Sequence, residues 1–127
     1  MKKYYLTVRD TFSASHVIPG HPKCGNMHGH NYKVEVVFEA LKNPDKENGM
    51  IVDFGILKEI VQSITQKRLD HKHLNDIIPA ASAENIAEYI YLGVTKELID
   101  RNLTNRVCIY EVRIWETDRF SVSFRNL

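Results

Sequence analysis

The chain has 127 residues, of which 43% are apolar and 26% charged, and its formal net charge is +1. That length supports one hydrophobic core and is short for two, so residues 1–127 are expected to form a single domain. A charge so close to zero excludes a general electrostatic pull toward nucleic acid or an anionic membrane, while leaving room for a local basic pocket.

The apolar run after Lys2 and Lys3 is broken at once by Arg9 and Asp10, too soon for a signal-peptide core, and no later stretch is long enough to span a bilayer. The expected location is the cytoplasm, where Cys24 and Cys108 should remain thiols.

Residues 3–16 read as a first strand, with Tyr4, Leu6, Val8, Phe12 and Ala14 on one parity and Asp10 interrupting it. Residues 17–29, rich in glycine and proline, form a loop. Tyr32, Val34, Val36 and Phe38 then alternate with polar residues as a second strand, and Lys42 to Gly49 is a polar turn. Phe54, Leu57, Ile60, Val61 and Ile64 recur at helical spacing behind Asp53, a plausible N-cap. After a loop from Leu69 to Ala81, a second helix starts near Ser82 with Ile86, Ile90, Val94 and Leu98 on one face. Cys108, Tyr110, Val112 and Ile114 alternate, as do Phe120, Val122 and Phe124 beyond a turn near Thr117 to Arg119. The order ββααββ implies an α+β fold, an antiparallel sheet with both helices on one face.

His28 and His30 are two apart at the start of the second strand, so their imidazoles should share the covered face with Tyr32 and Val34. His16 ends the first strand on its own apolar parity. A hairpin around the 17–29 loop would bring the three together, and three protein ligands with a fourth position open is the pattern of a catalytic zinc site. Iron, nickel or copper would also suit imidazole ligands. Histidines at strand ends also serve as hydrogen-bonded structural residues. Cys24 could be a fourth ligand closing a structural site, or a free thiol whose acidity rises near a cation. Cys108, mid-strand on the apolar parity, reads as core packing.

Asp70 beside His71 could fix an imidazole tautomer for proton transfer, or simply decorate a helix end. His21 and His73 read as surface residues. Glu116 shares parity with Val112 and Ile114, so it should point to the covered side and need a partner there: an arginine, or a ligand offering two adjacent N–H donors. Glu84 lies where a carboxylate favours the positive end of a helix dipole.

The segments Phe12 to His16, Cys24 to Asn31, Leu69 to His71, Glu84-Asn85 and Glu116-Thr117 together resemble the 6-pyruvoyltetrahydropterin synthase / 6-carboxytetrahydropterin synthase family, in order and over nearly the whole chain. The resemblance implies the tunnelling fold, in which subunits join edge to edge into trimers and two trimers stack into a homohexamer with active sites between subunits. It implies zinc held by His16, His28 and His30, a catalytic thiol at Cys24, and a second proton-transfer element at Asp70 and His71. It further implies a pterin-gripping carboxylate at Glu116, with Ser82, Ala83 and Glu84 in the segment that helps hold the pterin. Ser82 and Ala83 stand where the family often has threonines.

The compact loop between Cys24 and His28 resembles the carboxy-forming branch. The implied function is therefore a lyase that converts 7,8-dihydroneopterin triphosphate to 6-carboxytetrahydropterin on the way to 7-deazaguanine compounds such as queuosine. The pyruvoyl-forming branch and a non-catalytic zinc module are the alternatives. No nucleic-acid or membrane partner is expected.

Overall fold

The computed structural model describes residues 2–127. Its elements run β1 (Tyr5–His16), β2 (His28–Ala40), α1 (Phe54–Ile64), α2 (Ala83–Asp100), β3 (Val107–Trp115) and β4 (Ser121–Phe124). The ββααββ order and the α+β class are those the sequence predicts. The strands form one antiparallel sheet in the order β1-β2-β3-β4.

One face of the sheet is apolar because the alternating side chains Val8, Phe12 and Ala14 of β1, Tyr32, Val34, Val36 and Phe38 of β2, and Val112 and Ile114 of β3 are all buried there. The helices supply the other half of the core. Leu57, Ile60, Val61 and Ile64 of α1 and Ile86, Ile90, Val94 and Leu98 of α2 repeat every three or four residues and are buried. Each such aliphatic side chain contributes about 1.5–3 kcal/mol relative to exposure. Asp53 caps α1 by accepting from the Gly55 amide at 2.7 Å, and Ser82 caps α2 by accepting from the Asn85 amide at 3.2 Å.

Several features depart from the sequence reading. Phe54 opens α1 but is exposed, and Phe120 lies outside β4 and is exposed as well. Cys108 is only partly buried and pairs with Glu39 on the helix-free face, so it is not a core residue. A register shift between Val37 and Phe38 reverses the parity of β3 along its length. Val112 and Ile114 therefore face the helices at one end, while buried Val107 takes the covered face at the other.

The stretch from Leu69 to Ala81 has more structure than a loop. Thr65–Leu69 continues α1 as a wider π-helical turn, and Leu74–Asp76 forms a short 3₁₀ turn. Leu69, Leu74 and Ala81 are fully buried. Asn75 ties this stretch to the end of β1, accepting from the Val17 amide at 2.8 Å and donating to the Val17 carbonyl at 3.0 Å.

Candidate active site

Strand register brings the histidines together. His16 lies directly opposite His28, and Ala14 opposite His30, so the three imidazoles share the covered face at one end of the β1–β2 hairpin. Their ligand nitrogens all lie within 4.8 Å of one another. His16 is fully buried and donates from Nδ1 to the Ala81 carbonyl at 2.7 Å. His28 donates from Nδ1 to the Asn26 carbonyl at 2.8 Å. A carbonyl only accepts, so both Nδ1 atoms carry a proton, and in the neutral rings both Nε2 atoms present lone pairs.

Those two Nε2 atoms are 2.9 Å apart. Two lone pairs so close repel unless a proton or a cation lies between them. Nδ1 anchored on a backbone carbonyl with Nε2 turned inward is also the usual outer support of a metal-bound histidine. His30 adds a buried Nε2 with no hydrogen-bond partner, and burial pushes its pKa down, favouring the neutral imidazole that ligates metals. The donor set therefore fits zinc: three converging imidazole nitrogens.

Glu116 follows the last residue of β3, and its amide donates to the Phe120 carbonyl at 3.2 Å. As its parity predicts, the carboxylate reaches the covered side, where Oε1 lies 3.4 Å from His30 Nε2 and Oε2 lies 3.9 Å from His16 Nε2. No arginine meets it among the described ion pairs. It stands at the rim of the histidine cluster, partly open to solvent. Tyr32, packed edge-on against His16 and His30, has its pKa raised by burial first and then by the negative charge of Glu116.

Cys24 is not one of the converging ligands; among the described residues that set is His16, His28 and His30. The thiol sits half-buried in a turn built around His21, whose Nδ1 accepts from the Cys24 amide at 2.8 Å and the Lys23 amide at 3.1 Å. The Cys24 carbonyl accepts from the Ile18 amide at 2.8 Å. A Cβ on Gly25 would come within 2.5 Å of the His21 carbonyl oxygen, so only glycine fits beside the thiol. His21 is exposed, as expected, but it organises the Cys24 turn, a role that no periodicity signals.

Asp70 and His71 form a separate pair at the outer edge of β1. Asp70 Oδ1 accepts from the Ser13 amide at 2.9 Å and Oδ2 accepts from His71 Nδ1 at 2.7 Å. These bonds, the backbone one first, hold the Asp70 carboxyl below its usual range. His71 takes a left-handed backbone with φ of 59° while its amide donates to the Ser13 carbonyl at 2.6 Å. Its imidazole is largely exposed. His73, expected on the surface, is half-buried with Nδ1 3.0 Å from Ser15 Oγ. His71 and His73 line a shallow cleft with His30, Ser13, Ser15 and Asn31. At the start of α2, Ser82 is occupied as the helix cap and Glu84 is exposed in the first turn. This end of the helix adjoins the cluster through Ala81, the acceptor for His16.

Comparison with known proteins gives this geometry its context. A protein of Archaeoglobus fulgidus, provisionally named 6-carboxy-5,6,7,8-tetrahydropterin synthase, is 42% identical over 113 residues, covering 89% of this chain and 88% of its own. The 6-pyruvoyl tetrahydrobiopterin synthase of Drosophila melanogaster is 34% identical over 141 residues, covering 96% and 79%. The structure of Caenorhabditis elegans 6-pyruvoyl tetrahydropterin synthase superposes with a TM-score of 0.83 at 23% identity, covering 100% of this chain and 98% of that one, so the fold is the tunnelling fold. The family model described as 6-pyruvoyl tetrahydropterin synthase matches residues 5–126, and with these relatives it shows that the chain belongs to this family of pterin-converting enzymes.

Proposed function

We propose that the protein is a zinc-dependent lyase acting in the cytoplasm. With water, it converts 7,8-dihydroneopterin triphosphate to 6-carboxy-5,6,7,8-tetrahydropterin, acetaldehyde and triphosphate, in the route to 7-deazapurines such as queuosine. The observation that carries this reading is the meeting of three inward-facing imidazole nitrogens, two of them anchored from behind, with the carboxylate of Glu116 at their rim. The identity to the Archaeoglobus fulgidus protein supports the carboxy-forming branch.

His16, His28 and His30 would hold the zinc, which when bound supplies Lewis acidity toward the side-chain hydroxyls and the adjacent C–H. Glu116 accepts from the N–H edge of the amino-pyrimidine and orients the pterin, with Ser82 and Glu84 contributing from the start of α2. Cys24, as thiolate, takes a proton from the side chain. His71, held in one tautomer by Asp70, moves a proton at the neighbouring carbon. Elimination expels triphosphate, the ring tautomerises to the tetrahydro level without an external redox partner, and the side chain is cleaved. In this reading the chain forms a homohexamer, a dimer of trimers, whose sites combine residues of neighbouring subunits.

The test is incubation of the zinc-loaded protein with dihydroneopterin triphosphate, followed by mass analysis of the pterins and an acetaldehyde assay. A carboxypterin with acetaldehyde in equal amount is the expected result. The similarity to the Drosophila melanogaster enzyme favours a second reading, retention of the side chain as a diketone. A pyruvoyl pterin without acetaldehyde would establish it. Zinc retention with no turnover would leave a binding module.

A further inference from the structure

Asp10 is a carboxylate on the face of β1 that otherwise carries Val8, Phe12 and Ala14 into the core. It is half-buried opposite Val34, a place where an aliphatic residue would bury more apolar surface and a charge needs dedicated donors. It has two. Its Oδ2 accepts from Thr65 Oγ1 at 2.5 Å and from Gln66 Nε2 at 3.1 Å, and the same Gln66 amide donates to the Thr11 carbonyl at 2.7 Å. Thr65 is fully buried.

Thr65 is also where α1 widens into the π-helical turn. The Thr65 carbonyl accepts from the Asp70 amide at 2.9 Å, the bond that spans five residues and closes the turn. A π turn inserts an extra residue into a helix and is often found at functional sites. Thr65 thus holds Asp10 with its side chain and Asp70 with its backbone. β1 grips the following segment again three residues further on, where Ser13 binds the Asp70 carboxylate and the His71 amide.

We propose that Asp10 is a positioning residue: by pinning Thr65 and Gln66 it fixes the π turn, and the turn sets the direction from which Asp70 and His71 reach the reacting carbon. The role rests on the reading of Asp70 and His71 as the proton-transfer pair. It is separate from the metal cluster, so it is expected to act on kcat and not on zinc.

The experiment compares Asp10→Leu, Asp10→Asn and Thr65→Val in the zinc-loaded full chain. Leucine matches the apolar stripe and removes the acceptor, whereas asparagine keeps an oxygen for both donors. Asp10→Leu and Thr65→Val should lower kcat about 10- to 100-fold, the usual cost of a misplaced catalytic group, with KM within about threefold and zinc content unchanged. Asp10→Asn should restore kcat to within about threefold of the native protein. In the two damaging variants the Asp70 amide should lose protection from hydrogen exchange, and the imidazole NMR signals of His71 should shift.

Unchanged kcat in Asp10→Leu, with or without a lower melting temperature, would overturn the proposal, as would Asp10→Asn as impaired as Asp10→Leu. Should Asp10→Leu fail to fold, isosteric Thr65→Val decides by the same readings. Should the native chain turn over no pterin, the function proposed above fails by itself. The Asp70 exchange and His71 signals then still decide whether Asp10 positions the pair, and unchanged values would overturn it.

Discussion

His16 is the most constrained imidazole of the cluster, with no exposed surface, Nδ1 spent on Ala81 and Nε2 facing His28. Removing it costs both a ligand and a buried hydrogen bond, whereas His28 is only partly buried and removing it costs mainly a ligand. His28→Ala should therefore strip zinc with little loss of fold. His16→Ala should strip zinc and also destabilise the chain by about 1–3 kcal/mol, because the Ala81 carbonyl loses its donor. Metal analysis and thermal melts on the two variants check this, and full zinc occupancy after replacing all three histidines would refute the assignment. Cys24 lies outside the converging set, so Cys24→Ala should keep zinc and melting temperature while turnover falls roughly 10²–10⁴-fold, the worth of a positioned acid–base group. Zinc lost together with activity would mean that the thiol is a ligand after all. The histidine cluster was legible at this scale because strand parity is a local rule: His28, His30 and Glu116 point where alternation sends them. The part of His21 was not legible. Its Nδ1 accepts from amides two and three residues on, and a turn of that kind leaves no periodic trace.

Helices and strands were read well where packing repeats, as in Ile86, Ile90, Val94 and Leu98 on α2. The reading failed where a single residue changes the count. One bulge on β3 moved Cys108 to the opposite face from the one its alternation implied, and a π turn carries α1 on from Thr65 to Leu69, into the stretch read as a loop. Neither event changes residue type or hydrophobicity, so sequence pattern alone cannot register it. Gly93 shows the same precision between elements. A Cβ there would come within 2.6 Å of Ile64 Cδ1, at the point where α1 ends and the π turn begins. Gly93→Ala gains helix propensity of about 1 kcal/mol but forces fully buried Ile64 to move, an overpacking cost of about 1–3 kcal/mol. A net loss of stability is expected. Ile64→Val removes the colliding methyl, so the double variant should be less destabilised than the sum of the single changes. Strict additivity in denaturant melts would show that Ile64 is not the obstacle.

At the scale of the whole molecule the question is what the sheet does with its edges and its bare face. No helix of the described residues is long and apolar enough to cross a membrane. The face away from the helices carries Arg9, Glu35 and Arg113 in register across three strands, with Arg9 Nε bonded to Glu35 Oε2 at 2.8 Å, a surface suited to lining a wet interior. The outer edge of β1 is covered unevenly. The amides of Ser13 and Ser15 point away from β2 and are taken by Asp70 and by the Lys72 carbonyl, and Gln66 takes the Thr11 carbonyl. By the alternation of an antiparallel strand, the outward groups of Tyr5, Thr7 and Arg9 lie along the same edge, beyond the reach of those partners. An open edge of this length is a site for strand pairing, and edge-to-edge assembly would close it. The protein is expected in solution at six times the 14.7 kDa of the chain. Thr7→Pro offers a specific test, because proline deletes the outward amide at Thr7 while leaving the bonds from β1 to β2 in place. Light scattering should then report a smaller species that still binds zinc. Turnover should fall with the assembly, since the proposed sites combine residues of neighbouring subunits. A native chain that is monomeric and fully active would refute shared sites, and a Thr7→Pro hexamer would move the subunit contact to another edge.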